Sequence, residues 1–442
     1  MTFQALQLPF ETSGQSRYNK NLYLSYERKI LAKLPKIAYL TLWFPKPSET
    51  FIFREVLNLW TIGLPLKVFT LYGDIEKGLS PEMLSIPKEK VEHFGVSILK
   101  RLPRDINFWI KKQPDVTRKL FKTVPIRKWK SIEFGAENVF GFLAGFTLAS
   151  EFMKEPYDHI HAAWAMGPAT AAWVSSELTG IPFSFTGRAG DIYPPDGALQ
   201  EKIGAAKFVI SDNMTNVPYL ESLVPDAKGK IFGIYNGIPL EKMSEAPVSM
   251  TPPFRLLGLG RFDRIKAFHI LLRSCKILQD KGVDFRLTLA GDGPKKMQLK
   301  YLTKRLGLTA RVNFPGFVPY NFVSDLFCSA DVFVMSSAVH RSGDRDGLPT
   351  VILEALAHRL PVVSTDVCGI PEVIHNETTG LLVPQNDPEA LARAISEMVT
   401  NRDAALNMAR NGRDLVLREF SQEINHRRIF ELFLKQINGN QS

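Results

Sequence analysis

From Ile37 onward the chain alternates short apolar runs with longer amphipathic stretches. Ile37 to Trp43 is a near-continuous apolar run, the pattern of a strand buried on both faces, and a Pro-containing loop leads from it into an amphipathic helix starting near Ser48. Leu66 to Tyr72 is the next strand. A helix around Glu137 to Lys154, a strand at His159 to Ala163, a helix around Pro168 to Thr179 and a strand at Pro182 to Phe185 continue the series. Such alternation predicts a parallel sheet with helices on both faces. The pattern lapses at Met243 to Pro253, where three prolines and no period mark a linker.

A second series then begins. Strands at Phe254 to Leu259, Phe285 to Ala290, Val312 to Phe314, Asp331 to Met335 and Pro361 to Ser364 alternate with helices starting near Lys266, Pro294, Tyr320, Pro349 and Pro388. The fold class is therefore α/β, with two doubly wound Rossmann-like domains facing across a cleft. The divisions are an N-terminal extension at 1–36, a first domain at 37–242, the linker at 243–253 and a second domain at 254–401. A C-terminal helix in 402–442 is long enough to pack back on the first domain. In open parallel sheets ligands sit beyond the carboxyl ends of the strands, so functional residues are expected in strand-to-helix loops.

Composition narrows the class without naming a function. A chain of 442 residues with 45% hydrophobic and 23% charged residues is globular, multidomain, and neither fibrous nor disordered. The longest mostly apolar run, Val139 to Met153, is broken by Ser150 and Glu151 and is shorter than the roughly 18 to 20 residues that cross a bilayer. Met1 to Leu22 lacks a secretion signal, and Cys275, Cys328 and Cys368 have no pairing or metal-ligand spacing, so a cytoplasmic location with reduced thiols is expected.

Charge adds one feature. The net charge of +10 points to an anionic partner, and eleven basic residues between Lys100 and Lys130 face only Asp105 and Asp115. Phe108, Trp109, Phe121 and Trp129 are interleaved with them, a mixture suited to an anionic membrane surface in preference to nucleic acid.

Three loops could carry chemistry. Gly258-Leu259-Gly260-Arg261 through Lys266 follows a strand and opens a helix, so backbone N–H groups, Arg261 and Lys266 can meet a diphosphate. Ala290-Gly291-Asp292-Gly293-Pro294 is a close turn without the third glycine of a dinucleotide fingerprint. Asp346-Gly347-Leu348-Pro349 is followed by Glu354, eight residues after Asp346 and about one turn into a helix, where two carboxylates can accept hydrogen bonds from sugar hydroxyls.

Together with Phe314-Pro315-Gly316-Phe317-Val318, these motifs resemble the donor half of retaining GT-B glycosyltransferases of family four. Phe44-Pro45, Ser48-Glu49-Thr50-Phe51-Ile52, His159-Ile160-His161-Ala162, Phe185-Thr186, Asp191-Ile192 and Tyr235-Asn236-Gly237-Ile238 resemble its exopolysaccharide and colanic-acid members. The resemblance implies that Arg261 and Lys266 hold the donor diphosphate beside Gly260, and that Glu354 holds the ribose. Asp346 with Gly347, Leu348 and Pro349 would hold the transferred sugar, and the backbone at Phe317 and Val318 the base. Arg188 and Asp191 would lie near the donor sugar, with Ser48, Glu49, Thr50 and His161 on the acceptor side of the first domain. A lone histidine on a strand is also commonly structural.

The implied activity is transfer of a hexose, with retention and without a metal or other cofactor, from a nucleotide sugar to a glycan or polyprenyl-diphosphate-linked acceptor. The implied location is the inner face of the cytoplasmic membrane. Three positions depart from the pattern: Asp346 stands where Glu is usual, Ala267 where Gly is usual, and Arg188 where His is usual. Because Arg cannot act as a base, a nucleotide-sugar-binding scaffold stays as an alternative, alongside a nucleotide-sugar epimerase. Asp344-Arg345-Asp346 has the form of a DxD metal motif, but its surroundings are those of the donor loop.

Overall fold

The computed structural model describes residues 34–439 apart from 76–77, 96, 124–131, 195–197, 241–242, 244, 246–247 and 342. Two separate parallel sheets are present. The first is built from β1 (Ile37–Thr41), β2 (Leu66–Thr70), β3 (Val91–His93), β4 (His159–Ala162), β5 (Phe183–Gly187), β6 (Phe208–Ser211) and β7 (Ile231–Gly233), in the order β3-β2-β1-β4-β5-β6-β7. The second contains β8 (Phe254–Leu259), β9 (Phe285–Ala290), β10 (Val312–Gly316), β11 (Val332–Met335), β12 (Val362–Thr365) and β13 (Leu381–Val383), in the order β10-β9-β8-β11-β12-β13. Every strand pair is parallel.

Continuous apolar runs account for this. All five side chains of β1 are buried, as parallel strands covered on both faces require. In each sheet the strand order reverses beside the first strand, between β1 and β4 and between β8 and β11, which opens a crevice at the carboxyl ends. Helix α1 (Thr50–Ile62) follows β1, and α2 (Phe268–Asp280) follows β8. Helix α3 (Thr350–Ala357) lies between β11 and β12, and its first turn starts at the crevice.

The C-terminal stretch differs from the single returning helix expected. It is two helices, α4 (Arg402–Glu419) and α5 (Gln422–Asn438), parted at Phe420 and Ser421. Helix α4 belongs to the second domain: Gly412 lies so close to Leu356 of α3 that an added Cβ would fall 2.5 Å from its Cδ2. Helix α5 packs on the first domain, where the Phe433 ring sits 5.2 Å from that of His161 and Asn58 bonds His426 at 2.6 Å. The break is a helix restart, with Ser421 Oγ accepting from the N–H of Ile424.

The basic segment also differs in part. Two helices, Ser97–Lys112 and Pro114–Thr123, carry its described half. Trp109 is wholly buried and donates to Phe146 O and Ser150 Oγ at 3.1 and 3.0 Å, so it is core and not surface. Phe108 and Phe121 remain exposed, together with Leu99 and Ile110. Arg127 to Lys130, including Trp129, lie outside the described residues. Among the described residues no helix is long and apolar enough to cross a membrane.

Candidate active site

The phosphate-type loop is built by two glycine turns packed backbone to backbone. Gly260 N donates to Ala290 O at 3.1 Å and Phe262 N to Asp292 O at 2.8 Å. Gly291 has φ +136°, and a Cβ there would lie 1.9 Å from Gly260 O, so only glycine fits. Asp263 then accepts from the N–H groups of Ile265 and Lys266 at 3.1 and 3.0 Å, which turns the chain into α2. Ala267, at the position usually held by glycine, caps α2 in the left-handed conformation with φ +47°.

Lys266 and Asp346 meet there. Lys266 Nζ lies 2.9 Å from Asp346 Oδ2, and Ser337 Oγ donates to the same oxygen at 3.1 Å. Asp346, one methylene shorter than Glu, therefore still reaches the lysine, and each charge offsets the other. Arg261 is exposed and free of ion pairs among the described residues, at the mouth of the same loop.

Helix α3 supplies Glu354. Pro349 is buried at its N-cap, Leu348 packs on the second core, and the Gly347 carbonyl accepts from Gly369 N at 3.0 Å. Glu354 is 9% exposed, makes no side-chain hydrogen bond or ion pair among the described residues, and lines a cleft cavity with Thr50, Phe51 and Arg54 of the first domain. Burial pushes its carboxyl up to about 7. An unpaired buried carboxylate aimed across a cleft is an acceptor for ligand hydroxyls. The Phe317 ring is 75% exposed on the loop after β10, and Val318 packs on the second core.

Three candidates of the first domain are engaged within the protein. The Asp191 carboxylate accepts from Ala165 N and Arg188 N, both at 2.6 Å, and caps the short helix Ala189–Ile192. Burial pushes it up to about 7 against those N–H groups. His161 is also interior, bonded to Ser184 Oγ at 2.8 Å and Thr186 Oγ1 at 3.2 Å. Burial and then Arg188 press it down to about 3, so it is a neutral core residue.

Arg188 is itself only 4% exposed. Its guanidinium donates to Ala163 O and lies over the rings of Phe51 and Trp164 at 4.8 and 4.9 Å. It also reaches Asn236 Oδ1 at 3.4 Å and Glu55 at 4.0 Å, and Tyr39 donates to Glu55 at 2.8 Å. Arg188 thus stands behind the cavity wall formed by Phe51 and Asn236. In the loop at 48–50, Ser48 is exposed and Glu49 is mostly buried and paired with Lys46 before α1, while Thr50 reaches the cavity.

Several cleft residues were not expected from sequence. Asp212, after β6, faces the donor loop: a Cβ on Gly347 would be 3.4 Å from its Oδ2. Burial raises it to about 6, with Arg188 opposing and Glu372 adding to the rise. Glu372, after β12, crosses the cleft and accepts from Met214 N and Thr215 N at 2.9 and 2.6 Å. Arg345 lies 4.0 Å over the Tyr193 ring, a second bridge between domains. Among the described residues no three His, Cys, Asp or Glu side chains converge as a metal site.

The fold and part of the sequence are shared with known proteins. Residues 241–415 match the family model described as glycosyl transferases group 1. The putative colanic acid biosynthesis glycosyltransferase WcaL of Escherichia coli (strain K12) is 33% identical over 200 residues, 44% of this chain and 49% of the relative. This chain thus spans about half the length of that relative. The amylovoran biosynthesis glycosyltransferase AmsK of Erwinia amylovora is 23% identical over 90% of this chain and 98% of its own. Anabaena Alr3699/HepE, solved with UDP and glucose, superposes with a TM-score of 0.63 at 18% identity, covering 90% of this chain and 99% of that one. The chain has the GT-B fold. In GT-B terms the second domain carries the group 1 match, and Lys266, Asp346 and Glu354 all lie within it.

Proposed function

We propose that this GT-B protein is a retaining glycosyltransferase of family four that moves a hexose from a nucleotide sugar to a glycan or polyprenyl-diphosphate-linked oligosaccharide in cell-surface polysaccharide synthesis. The observation that carries the proposal is the Lys266–Asp346 pair, 2.9 Å apart, whose Asp346 lies in the loop that leads into α3, where the buried Glu354, unpaired among the described residues, lines a cavity with residues of the first domain. The names of WcaL and AmsK, and the UDP and glucose in HepE, support the same direction.

In this reading Lys266 and Arg261 stabilise charge building on the departing diphosphate, so no metal is needed for that task. Glu354 accepts from the ribose diol, and Asp346 with the Gly347 to Pro349 backbone holds the sugar. The acceptor oxygen attacks the anomeric carbon on the face from which the diphosphate oxygen leaves. The glycosidic bond forms, the sugar–phosphate bond breaks, and the acceptor's proton passes to the leaving phosphate. Arg188, behind the cavity wall, needs no role as a base.

The helices Ser97–Lys112 and Pro114–Thr123 would set the enzyme on anionic lipid beside its acceptor, at the inner face of the cytoplasmic membrane. They present exposed Lys100, Lys111, Lys112, Lys119 and Lys122 beside Leu99, Phe108, Ile110 and Phe121. The test of the assignment is turnover of UDP-, GDP- and ADP-sugars by the parent and Lys266→Ala. Loss of one charge-stabilising group should lower turnover by about two to three orders of magnitude. Equal turnover in the two proteins would refute the proposal.

A further inference from the structure

A groove of about 530 Å³ opens between the start of α2 and the helix Lys296–Arg305 of the second domain. It begins at the two loops that carry the Lys266–Asp346 pair: Asp263 and Arg264 line it from the stretch after β8, and His340 from the connection that leads to Asp346. Its floor is apolar. Phe268 and Leu299 are buried beneath it and Leu302 packs on the same core, while the Tyr301 ring stands 65% exposed at its side. The volume is within the roughly 300 to 1,000 Å³ usual for small-molecule sites.

Two cations of this groove are left unpaired. Neither Arg264 nor Lys295 has a side-chain hydrogen bond or an ion pair among the described residues. The next residue, Lys296, is by contrast paired with Asp292 at 2.6 Å, and Asp263, the acid among the lining residues, is turned to the N–H groups of Ile265 and Lys266. His269 feels the same positive field: desolvation, and then Arg273 and Lys295, hold its imidazole below the usual range. Unpaired cations beside an apolar floor fit a ligand that has both a flat carbon face and an anionic group.

We infer that this groove holds an acidic saccharide, a uronate-bearing stretch of the glycan on which the enzyme acts, outside the reaction centre. The inference rests on the proposed function, which makes a glycan the ligand that passes these loops. In that reading the donor diphosphate falls to Arg261 and Lys266, so the anionic group taken by Arg264 and Lys295 belongs to the growing chain. Arg264 donates through its planar fork to a carboxylate, and Lys295 adds a compact charge beside it. The C–H face of a pyranose ring lies on Tyr301, above Phe268 and Leu299, and Gln298 offers an amide donor and acceptor to the hydroxyls. A neutral sugar keeps the stacking and the hydroxyl contacts but leaves both cations unsatisfied, so charge is what the groove selects.

The experiment is titration of the full chain with a trimer of galacturonic acid and with the methyl ester of the same trimer, followed by ligand-observed NMR. The parent is compared with Arg264→Ala, Lys295→Ala and Tyr301→Ala. The acid should bind at least about tenfold more tightly than the ester. Arg264→Ala and Lys295→Ala should each weaken the acid about tenfold and leave the ester unchanged, whereas Tyr301→Ala should weaken both forms alike. Equal binding of acid and ester, an acid preference that survives both charge substitutions, or no binding of the acid trimer would each overturn the inference. Displacement of the trimer by an equal concentration of inorganic phosphate would overturn it too, by reducing the groove to a site for simple anions. Turnover of nucleotide sugars is read separately. Trimer binding without turnover of any of them strikes the proposed function and leaves the groove, and turnover without trimer binding strikes the groove alone.

Discussion

Glu354 should make the protein less stable in exchange for a binding group, and that trade can be measured. Its carboxyl is raised from 4.5 to about 7 by burial, with no charge partner to offset it. Below about pH 4.5 the side chain is protonated in both folded and unfolded chains, and no stability is lost. Between about 4.5 and 7 the unfolded chain ionises while the folded chain keeps its proton, so stability falls as pH rises, and above 7 the loss is complete. At about 1.4 kcal/mol for each tenfold in proton affinity, the full loss is about 3 kcal/mol. Glu354→Gln has nearly the same shape and no charge. Urea unfolding of the second domain at pH 5 and pH 8 should therefore find the variant within about 1 kcal/mol of the parent at pH 5 and about 3 kcal/mol more stable at pH 8. Comparing the two proteins at each pH cancels the other titrating groups. Nucleotide affinity should fall in the same variant, since an amide oxygen accepts from a ribose diol less strongly than a carboxylate. A variant whose stability relative to the parent does not change between pH 5 and 8 would refute the reasoning, because the carboxylate would then have a partner or solvent that lowers its cost.

Other perturbations follow from single contacts. Gly291→Ala places a methyl 1.9 Å from Gly260 O at a left-handed φ of +136°, so the second domain should lose about 3 kcal/mol or more in denaturant, and an unchanged midpoint would mean the two loops can part freely. His161→Asn should lower stability by about 2 kcal/mol through lost bonds to Ser184 and Thr186 while leaving the pH–rate profile between 5 and 8 in place; a shifted limb would return this histidine to the chemistry. Glu372→Gln should weaken the bridge to Met214 N and Thr215 N and raise the radius of gyration seen by small-angle scattering, and identical scattering curves would show that the carboxylate does not hold the domains together.

The two-domain architecture was legible because its signal is redundant. Runs such as Ile37–Thr41 and Phe254–Leu259 have enough consecutive buried positions to be told from loops, and each is followed by an amphipathic stretch. Val91–His93, Ile231–Gly233 and Leu381–Val383 escaped because three residues offer one or two inward side chains, too few to form a pattern. Phe208–Ser211, only four residues long, escaped as well, and its place in the sheet is fixed by its neighbours β5 and β7. The C-terminal break escaped for another reason. Phe420 and Ser421 carry no helix-breaking glycine or proline, and the turn there is fixed by a backbone bridge to Ile238, far away in sequence.

The placement of the second-domain candidate residues was legible because their loops are fixed by the order of the strands. Gly260 and Lys266 lie in the connection that follows β8, and Asp346 and Glu354 in the one between β11 and β12, so their approach to the carboxyl edge of the sheet follows from topology. The first domain's contribution depends on which side chains turn outward, and motif position does not encode that. Arg188 stands where the resemblance expects a histidine, yet its guanidinium lies over Phe51 and Trp164 and reaches Ala163 O, Asn236 and Glu55. Asp191 and His161, next to it, are drawn into the same buried network. Arg54 and Asp212 stand alone on a helix and a loop with no companion motif, and only the opposing domain gives them something to face. The arginine at 188 is therefore a feature of how the first domain packs behind its cavity wall. The chemistry has to be argued from Lys266, Asp346 and Glu354, which the second domain holds whether or not residue 188 can take a proton.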